Sequence, residues 1–131
     1  MHRRHDPIDV PAALGGYANA LEIGSDHRLL FVSGQLPETP DGLVPDDPED
    51  QCRIVWSHVT SCLRSAGMEV SDLVKVTTYL SDRSLAEVNT AVRREVLGDH
   101  RPALTVVVAE ILDPRWRLQV EAVAAAPERQ D

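Results

Sequence analysis

Two short stretches of this chain are apolar on both sides of an extended backbone, and few helices are available to cover them. The stretches are Leu30-Phe31-Val32 and Val106-Val107-Val108. Runs of this kind are typical of strands that are buried on both faces of a sheet. Two predicted helices can cover only one face of a sheet of about five or six strands. We therefore expect another copy of the chain to cover the second face, in an assembly with closed rotational symmetry.

The first helix is predicted for residues 48–66. Asp47 is a favourable N-cap, Pro48 suits the first helical position, and Gly67 supplies the stop. Its apolar residues follow the three-and-four spacing of a single buried face. They are Cys52, Val55, Val59, Cys62, Leu63 and Ala66.

The second helix is predicted to begin at Ser84, which has the spacing of a capping box with Glu87. Gly98 is expected to end it. Its buried stripe is predicted to consist of Leu85, Val88, Ala91, Val92 and Val96.

Strand patterns precede, separate and follow the helices. The first two run to about Ile23 and over 29–33, and they are predicted to meet at the turn around Asp26. The others are residues 73–80, 103–109 and roughly 117–125, which are rich in β-branched or alternating apolar residues. The strand–helix alternation implies βαβ-like crossovers.

Length, composition and charge favour one acidic domain. With 131 residues and 43% hydrophobic content, the chain is long enough for one core and too short for two. We expect a single domain over residues 1–131 with a core from about 15 to 125. Both termini, including the basic pair Arg3-Arg4, are expected to fray. The formal net charge of −8 repels phosphate backbones, so we expect no nucleic-acid partner.

The sequence also favours a cytoplasmic protein without a metal. No apolar run approaches the ~20 residues that a membrane helix needs, and no signal region stands near the N-terminus. Cys52 and Cys62 are predicted to lie roughly 15 Å apart along one helix, a distance that no disulfide spans. The histidines and cysteines do not repeat at metal-ligand spacing. We expect neither a membrane contact nor a bound metal.

Glu121 is the main chemical clue. It stands in a segment whose alternation places Leu118 and Val120 on one face, and Gln119 and Glu121 on the other. The carboxylate either faces water on the open side of a half-covered sheet or looks into a subunit interface, where an unpaired carboxylate is costly and indicates function.

Six segments, taken in chain order, resemble the reactive intermediate deaminase (RidA/YjgF) family. They are Gly16-Tyr17-Ala18-Asn19-Ala20, Phe31-Val32-Ser33-Gly34-Gln35-Leu36-Pro37, Leu73 to Asp82, Val88-Asn89, Arg101-Pro102-Ala103 and Val120-Glu121-Ala122-Val123-Ala124. The resemblance implies a chorismate-mutase-like α+β fold, with a mixed sheet packed by two helices on one face. It also implies a homotrimer with the sheets facing inward and small-molecule clefts at the subunit boundaries. The implied activity is hydrolysis of enamines or imines without a cofactor, and some members carry an endoribonuclease label.

The chain departs from the family pattern after Pro102-Ala103, where the family has an arginine that grips the substrate carboxylate. Leu104 stands there and cannot form the bidentate ion pair. Losing such a pair in a desolvated cleft costs on the order of 2–5 kcal/mol of binding. Arg101, Arg115 and Arg117 are near in sequence, and whether one of them compensates is left open. Val106 replaces a cysteine of some members, so no thiol chemistry is expected there.

The resemblance assigns roles to further residues, each with a simpler alternative. Glu121, with Thr105 as a possible hydrogen-bond donor, is the catalytic candidate, activating water by general acid–base chemistry. The candidate ligand-binding residues are Tyr17, Ser33, Gly34, Asn89, Leu104, Val106 and Trp116. The alternatives are strand packing for Tyr17, a simple turn for Ser33-Gly34, and a solvated helix position for Asn89. Trp116 is either an interface anchor, which we favour, or a cleft wall.

Three functions compete on these grounds. The first is a cofactor-free imine or enamine hydrolase for a neutral or apolar substrate, because the arginine is missing while Glu121 is present. The second is a trimer that binds a small ligand as a sensor or scavenger without turnover. The third, an endoribonuclease, conflicts with the charge of −8 and with the lack of a basic, aromatic-lined groove.

Overall fold

The computed structural model describes residues 2–129, which contain six strands and two α-helices. The strands are β1 (His2–His5), β2 (Ala20–Ile23), β3 (His27–Gln35), β4 (Leu73–Leu80), β5 (Ala103–Val108) and β6 (Leu118–Pro127). The helices are α1 (Pro48–Ser65) and α2 (Ala86–Leu97), with short 3-10 turns at Val70–Asp72 and Arg83–Leu85.

The main sheet has four strands in the order β3-β6-β4-β5 and is mixed. β6 runs antiparallel to both of its neighbours, whereas β4 and β5 pair in parallel. Helix α2 forms the crossover that connects β4 to β5. The mixed sheet packed by two helices is the architecture that the sequence indicated. The sheet is smaller than expected, because β2 does not join it.

β1 and β2 form a separate antiparallel pair, and this corrects two predictions. β2 pairs with β1 and not with β3 across the predicted turn. The N-terminal residues that were expected to fray make up β1, and the His2 imidazole contacts the carbonyl of Ala125 at 2.9 Å. At the other end, the amide of Glu128 donates to the carbonyl of Asp26 at 3.1 Å. The expected fraying of residues 1, 130 and 131 lies outside the described residues.

The predicted N-cap is right for α1 and wrong for α2, whereas Gly98 ends α2 as predicted. The Asp47 side chain accepts from the amide of Asp50 at 3.2 Å, as expected for an N-cap. The 3-10 turn precedes α2, and its cap is Asp82, which accepts from the amide of Ser84 at 2.8 Å. The Ser84–Glu87 capping box is therefore not formed, because Ser84 lies inside the turn as a donor.

Both helices cover one face of the main sheet and enclose the core with it. β6 alternates as predicted, with Leu118, Val120 and Ala122 buried and Glu121 only partly so. The largest buried apolar side chains of this layer are Trp56, Leu63, Leu73, Leu80 and Leu118. The other face carries exposed apolar side chains, since Phe31 is 72% and Val107 is 39% exposed. Within one chain that face is open.

Cys52 provides a test of the core. Burial, and secondarily the Glu49 carboxylate, raise the pKa of its thiol from 9.0 to about 11. The folded state therefore favours the neutral thiol, and this contribution to stability is present below pH 9 and lost as the pH rises towards 11. We expect the free energy of unfolding of the wild type to fall by on the order of 2 kcal/mol more than that of Cys52→Ala over this range.

The measurement is urea unfolding at a series of pH values from 8 upwards, with Cys62→Ala as the matched control on the same helix. Cys62 is only partly buried. Parallel pH curves for the wild type and Cys52→Ala would contradict the expectation.

Candidate functional site

The open face of the main sheet brings Glu121 into line with two threonines. Thr77 on the central strand β4 pairs with Glu121 of β6 on one side and with Thr105 of β5 on the other. Because paired residues point to the same face, all three side chains lie on the side away from the helices. Strands are about 4.8 Å apart, so Thr105 stands roughly 10 Å from Glu121 across the sheet. Within one chain the two catalytic candidates share a face without touching.

A β-bulge faces Glu121 from the strand on its other side. The register of β3 against β6 shifts between Val32 and Gln35, so Ser33 and Gly34 together oppose the single residue Glu121. The prediction that Ser33 and Gly34 end a strand at a turn is therefore wrong, because both lie inside β3. Bulges are common next to active sites, where they redirect side chains and the backbone.

At position 34 a side chain would take the space that Gln119 occupies. A Cβ added to Gly34 would lie 2.0 Å from Nε2 and 3.0 Å from Cγ of Gln119. Gln119 is two residues from Glu121 and points to the same face. The missing side chain thus lets Gln119 lie close against the bulge.

The Glu121 carboxylate has one hydrogen-bond partner within residues 2–129. The hydroxyl of Tyr79 on β4 donates to its Oε1 atom. This bond to Glu121 raises the pKa of the Tyr79 hydroxyl, with smaller contributions from burial and from the carboxylate charge. Tyr79 therefore stays a protonated donor at neutral pH. Sequence analysis missed this residue because the pairing of β4 with β6 is a long-range property.

On the other side of Thr77, Lys75 occupies the open face. Its Nζ atom donates to Oγ1 of Thr105 at 2.6 Å. Lys75 is two residues from Thr77 and so shares its face. The open face of β4 therefore presents an ammonium group, a hydroxyl and a phenol in sequence.

Glu121 borders two cavities. The first, which we call the sheet-face cavity, has a volume of about 340 Å³. It is lined by Phe31, Val32, Ser33, Lys75, Thr77, Glu121, Ala122 and Val123. The second, which we call the loop cavity, has a volume of about 230 Å³. It is lined by Gly34, Tyr79, Glu110, Ile111, Leu112, Gln119 and Glu121.

The three arginines considered as replacements for the missing family arginine are engaged elsewhere. Arg101 donates to the carbonyl of Gly98 at 2.8 Å, and Arg115 forms a fork with the Asp113 carboxylate. Arg117 donates to the carbonyl of Asp46 at 3.3 Å. None of them lines either cavity. Lys75 is the cationic side chain that lines the sheet-face cavity beside Glu121.

Leu104 and Val106 point to the opposite side of the sheet from Glu121. They pair with Val76 and Thr78 of β4, whose side chains are fully buried beneath the helices. Leu104 packs against the hydrophobic core, while Val106 remains 40% exposed at the sheet edge. Within one chain, these two predicted ligand-binding residues do not reach the cavities at Glu121.

Tyr17 also lies away from Glu121. The segment that contains Tyr17 runs beside the start of β5. Ala18 forms a parallel β-bridge with Ala103, and the amide of Ala18 donates to the carbonyl of Pro102 at 3.0 Å. The side chain of Arg93 on α2 holds the same segment by donating to the Gly15 carbonyl at 2.8 Å. Tyr17 itself is partly buried.

Asn89 is buried, which corrects the expectation of a solvated helix position. It is 1% exposed, and neither its amide nitrogen nor its oxygen has a partner within residues 2–129. Arg93, one turn later on α2, is buried as well, whereas Ala91 of the predicted stripe is exposed. Leu85, Asn89 and Arg93 follow one another at intervals of four residues, and this spacing was the available signal for a shared buried face. The signal was missed because Asn89 and Arg93 are polar. An unpaired buried amide typically costs about 1–3 kcal/mol.

Trp116 lies in the segment between β5 and β6. Its side chain is partly buried, and its buried indole nitrogen has no partner among the described residues. It lines neither of the two cavities at Glu121. Whether it anchors an interface or forms a cleft wall stays a prediction.

Within residues 2–129, no helix is both long and apolar enough to cross a bilayer. The same residues contain no group of three or more histidine, cysteine, aspartate or glutamate side chains that could hold a metal ion.

The fold defined by this sheet and its helices is that of the Rid proteins. The crystal structure of the Rid-family protein YyfB of Yersinia pestis superposes with a TM-score of 0.83 at 22% identity, covering 95% of this chain and 98% of that one. That of Escherichia coli TdcF with bound serine superposes with a TM-score of 0.71 at 27% identity, covering 95% and 98%.

Sequence comparison leads to the same family. The family described as Endoribonuclease L-PSP matches residues 7–126. The putative reactive intermediate deaminase TdcF of E. coli is 30% identical over 119 residues, covering 88% of this chain and 90% of the relative. The 2-iminobutanoate/2-iminopropanoate deaminase of E. coli is 31% identical over 121 residues, covering 88% and 91%. The chain belongs to the RidA/YjgF family.

The contact between Gly34 and Gln119 is testable. In Gly34→Ala the new methyl group displaces the flexible Gln119 side chain, and we expect a modest loss of about 1 kcal/mol in the free energy of unfolding. Adding Gln119→Ala removes the clash, so the double variant should lose less than the sum of the single variants. Urea unfolding of the four proteins measures this coupling.

Gly24→Ala is the matched control, because a Cβ there meets His27 only at 3.7 Å, an ordinary contact. Strict additivity of Gly34→Ala and Gln119→Ala would show that the bulge does not depend on the close approach of Gln119.

Proposed function

We propose that this protein is an imine or enamine hydrolase of the RidA family in which Glu121 activates water. The observation that carries the proposal is the position of Glu121: a single carboxylate on the open sheet face, opposite a β-bulge and shared by two cavities. The deaminase names of the relatives TdcF and 2-iminobutanoate/2-iminopropanoate deaminase support the reaction type.

The proposed reaction uses water alone. An enamine first takes a proton on carbon and loses one from nitrogen, which gives the imine. Glu121 then takes a proton from water as the oxygen bonds to the imine carbon, the C=N electron pair moves to nitrogen, and Glu121 passes the proton to that nitrogen. In the resulting carbinolamine Glu121 takes the hydroxyl proton and donates it to the nitrogen as the C–N bond breaks, so that ammonia leaves and the C=O bond forms. A carbonyl compound remains, and Glu121 serves first as general base and then as general acid.

The proposed substrate is neutral or apolar. Leu104 packs against the core at the position where the family resemblance implies a carboxylate-gripping arginine, and Arg101, Arg115 and Arg117 are held by other partners. Lys75 is the nearby cation, but it already donates to Thr105 and offers a point charge without the bidentate fork of arginine. A substrate without a carboxylate therefore fits these residues best.

We also propose that the active assembly is a homotrimer with the open sheet faces turned inward. The open face carries Phe31, 72% exposed, and Leu29, 51% exposed, a pattern typical of a surface that is covered by another subunit. Tyr17 and Leu104 lie away from Glu121 within one chain and are only partly buried, so a neighbouring subunit would bring them to a shared cleft.

A trimer that binds a ligand without turnover is the second candidate. It is favoured by two hydrogen bonds that already satisfy polar groups of the open face, one between Tyr79 and Glu121 and one between Lys75 and Thr105.

Endoribonuclease activity is a weaker proposal despite the family's description, because the net charge of −8 opposes RNA binding. The unpaired Cys52 and Cys62 support a reducing compartment, and we propose the cytoplasm.

The catalytic proposal is tested by measuring hydrolysis of an uncharged aliphatic imine and of 2-aminoacrylate generated in situ, each corrected for the uncatalysed rate. We expect the wild type to act on the uncharged imine and only weakly on 2-aminoacrylate. Glu121→Gln should lose roughly 100-fold or more in kcat. Leu104→Arg should gain about 10-fold or more in kcat/KM on 2-aminoacrylate alone.

Leu104→Met is the matched control, since it keeps the volume without the charge, and the Tm of each variant shows whether it folds. A wild-type rate on 2-aminoacrylate that exceeds its rate on the uncharged imine would refute the substrate proposal. A ligand that binds tightly without turnover would favour the second candidate.

The trimer is tested by sedimentation equilibrium. We expect a mass three times that of the 14.4 kDa chain for the wild type. Phe31→Glu should shift the mass towards the monomer, because it places charges in the proposed interface. Leu43→Glu, at a residue that is 64% exposed in the loop before α1, is the control and should remain trimeric. A monomeric wild type would end the proposal of shared clefts.

A further inference from the structure

Tyr79 and Glu121 are joined across two neighbouring strands, 42 residues apart in sequence. Tyr79 pairs directly with Gln119, and Thr77 pairs directly with Glu121. The phenol therefore reaches diagonally across the ladder to the carboxylate, a reach that aromatic side chains have on one face of a sheet. The register of β4 against β6 sets this contact.

We propose that Tyr79 is a positioning residue that holds the Glu121 carboxylate for catalysis, an inference that rests on the proposed function. Its hydroxyl occupies Oε1 and leaves Oε2 as the oxygen available to a water molecule. A carboxylate with one oxygen held by a donor has less freedom to turn, and a fixed base is the arrangement that general base catalysis requires.

The surroundings favour a functional role for the contact. Both side chains are only partly buried, so water could satisfy them if the bond served the fold alone. Tyr79 lines the loop cavity, whereas Glu121 lines both cavities. The bond therefore lies on the loop-cavity side of the carboxylate. The sheet-face cavity, beside Ser33 and Thr77, is the space proposed for the reacting water and imine.

Tyr79 remains a donor over the working pH range. Its bond to Glu121, followed by burial and the carboxylate charge, raises the pKa of its hydroxyl above the ordinary value of 10.0. A protonated phenol in this position donates its hydrogen bond to the Glu121 carboxylate. Tyr79 thus acts through Glu121 and not on the substrate.

The contact itself is tested without any assay of activity. Tyr17→Phe leaves Tyr79 as the one tyrosine of the chain, so the tyrosinate absorbance follows its titration. In this background Glu121→Gln should lower the pH at which Tyr79 ionises, because the carboxylate that raises its pKa is gone. Glu110→Gln is the matched control: Glu110 lines the same loop cavity but is not bonded to Tyr79. Identical titrations with and without Glu121 would overturn the proposal.

The positioning role is then tested by kinetics on the imine that the wild type hydrolyses. Tyr79→Phe should lower kcat roughly 10-fold while KM changes little, because the transition state and not substrate binding needs the held carboxylate. In the Glu121→Gln background the same substitution should have no further effect. Equal losses from Tyr79→Phe with and without Glu121 would show that Tyr79 acts on its own and would overturn the proposal.

The two kinds of failure are distinguishable. If Glu121→Gln leaves the imine rate of the wild type unchanged, the proposed function fails and the positioning role fails with it, whatever the titration shows. If Glu121→Gln abolishes the rate and Tyr79→Phe has no effect, the proposed function stands and the positioning role is overturned.

Discussion

The antiparallel position of β6 in the middle of the main sheet is the constraint on which the other features depend. With β3 on one side and β4 on the other, every second residue of β6 faces the helices and the rest face the open side. Leu118, Val120 and Ala122 are buried in the core, so the alternation of the strand places Glu121 on the open face. A slip by one residue would bury the carboxylate and expose the core residues. The hydrophobic effect therefore fixes the position of the Glu121 carboxylate.

Each side of the sheet consequently has a separate task. The helix-covered side holds the core together and contains Leu104, while the open side carries Lys75, Thr77, Tyr79 and Glu121. A catalytic site of the kind proposed here needs residues from both sides, and in a single chain the sheet itself separates them. In the proposed trimer, residues from opposite sides of the sheet would meet at the boundary between two subunits.

Local pattern in the sequence was enough for the parts of the fold that depend on local physics. The Asp47 cap, the stripe of α1 and the alternation around Glu121 follow from hydrogen bonding and periodicity within a few residues, and the structure contains all three. The pairing of β1 with β2, the bulge at Ser33 and the contact from Tyr79 did not follow, because each depends on which strand lies next to which. Asn89 was misjudged and Arg93 was overlooked for another reason, since periodicity analysis counts apolar residues and here polar residues occupy buried positions.

The bulge in β3 has a consequence for how the strand is built. Removing either Ser33 or Gly34 would restore one-to-one pairing with β6, and the residues before and after would keep their present partners and faces. The extra residue therefore contributes nothing to the alignment of the two strands. It amounts to an insertion in an otherwise regular ladder, and its effect is confined to the few ångströms of backbone that face a single carboxylate.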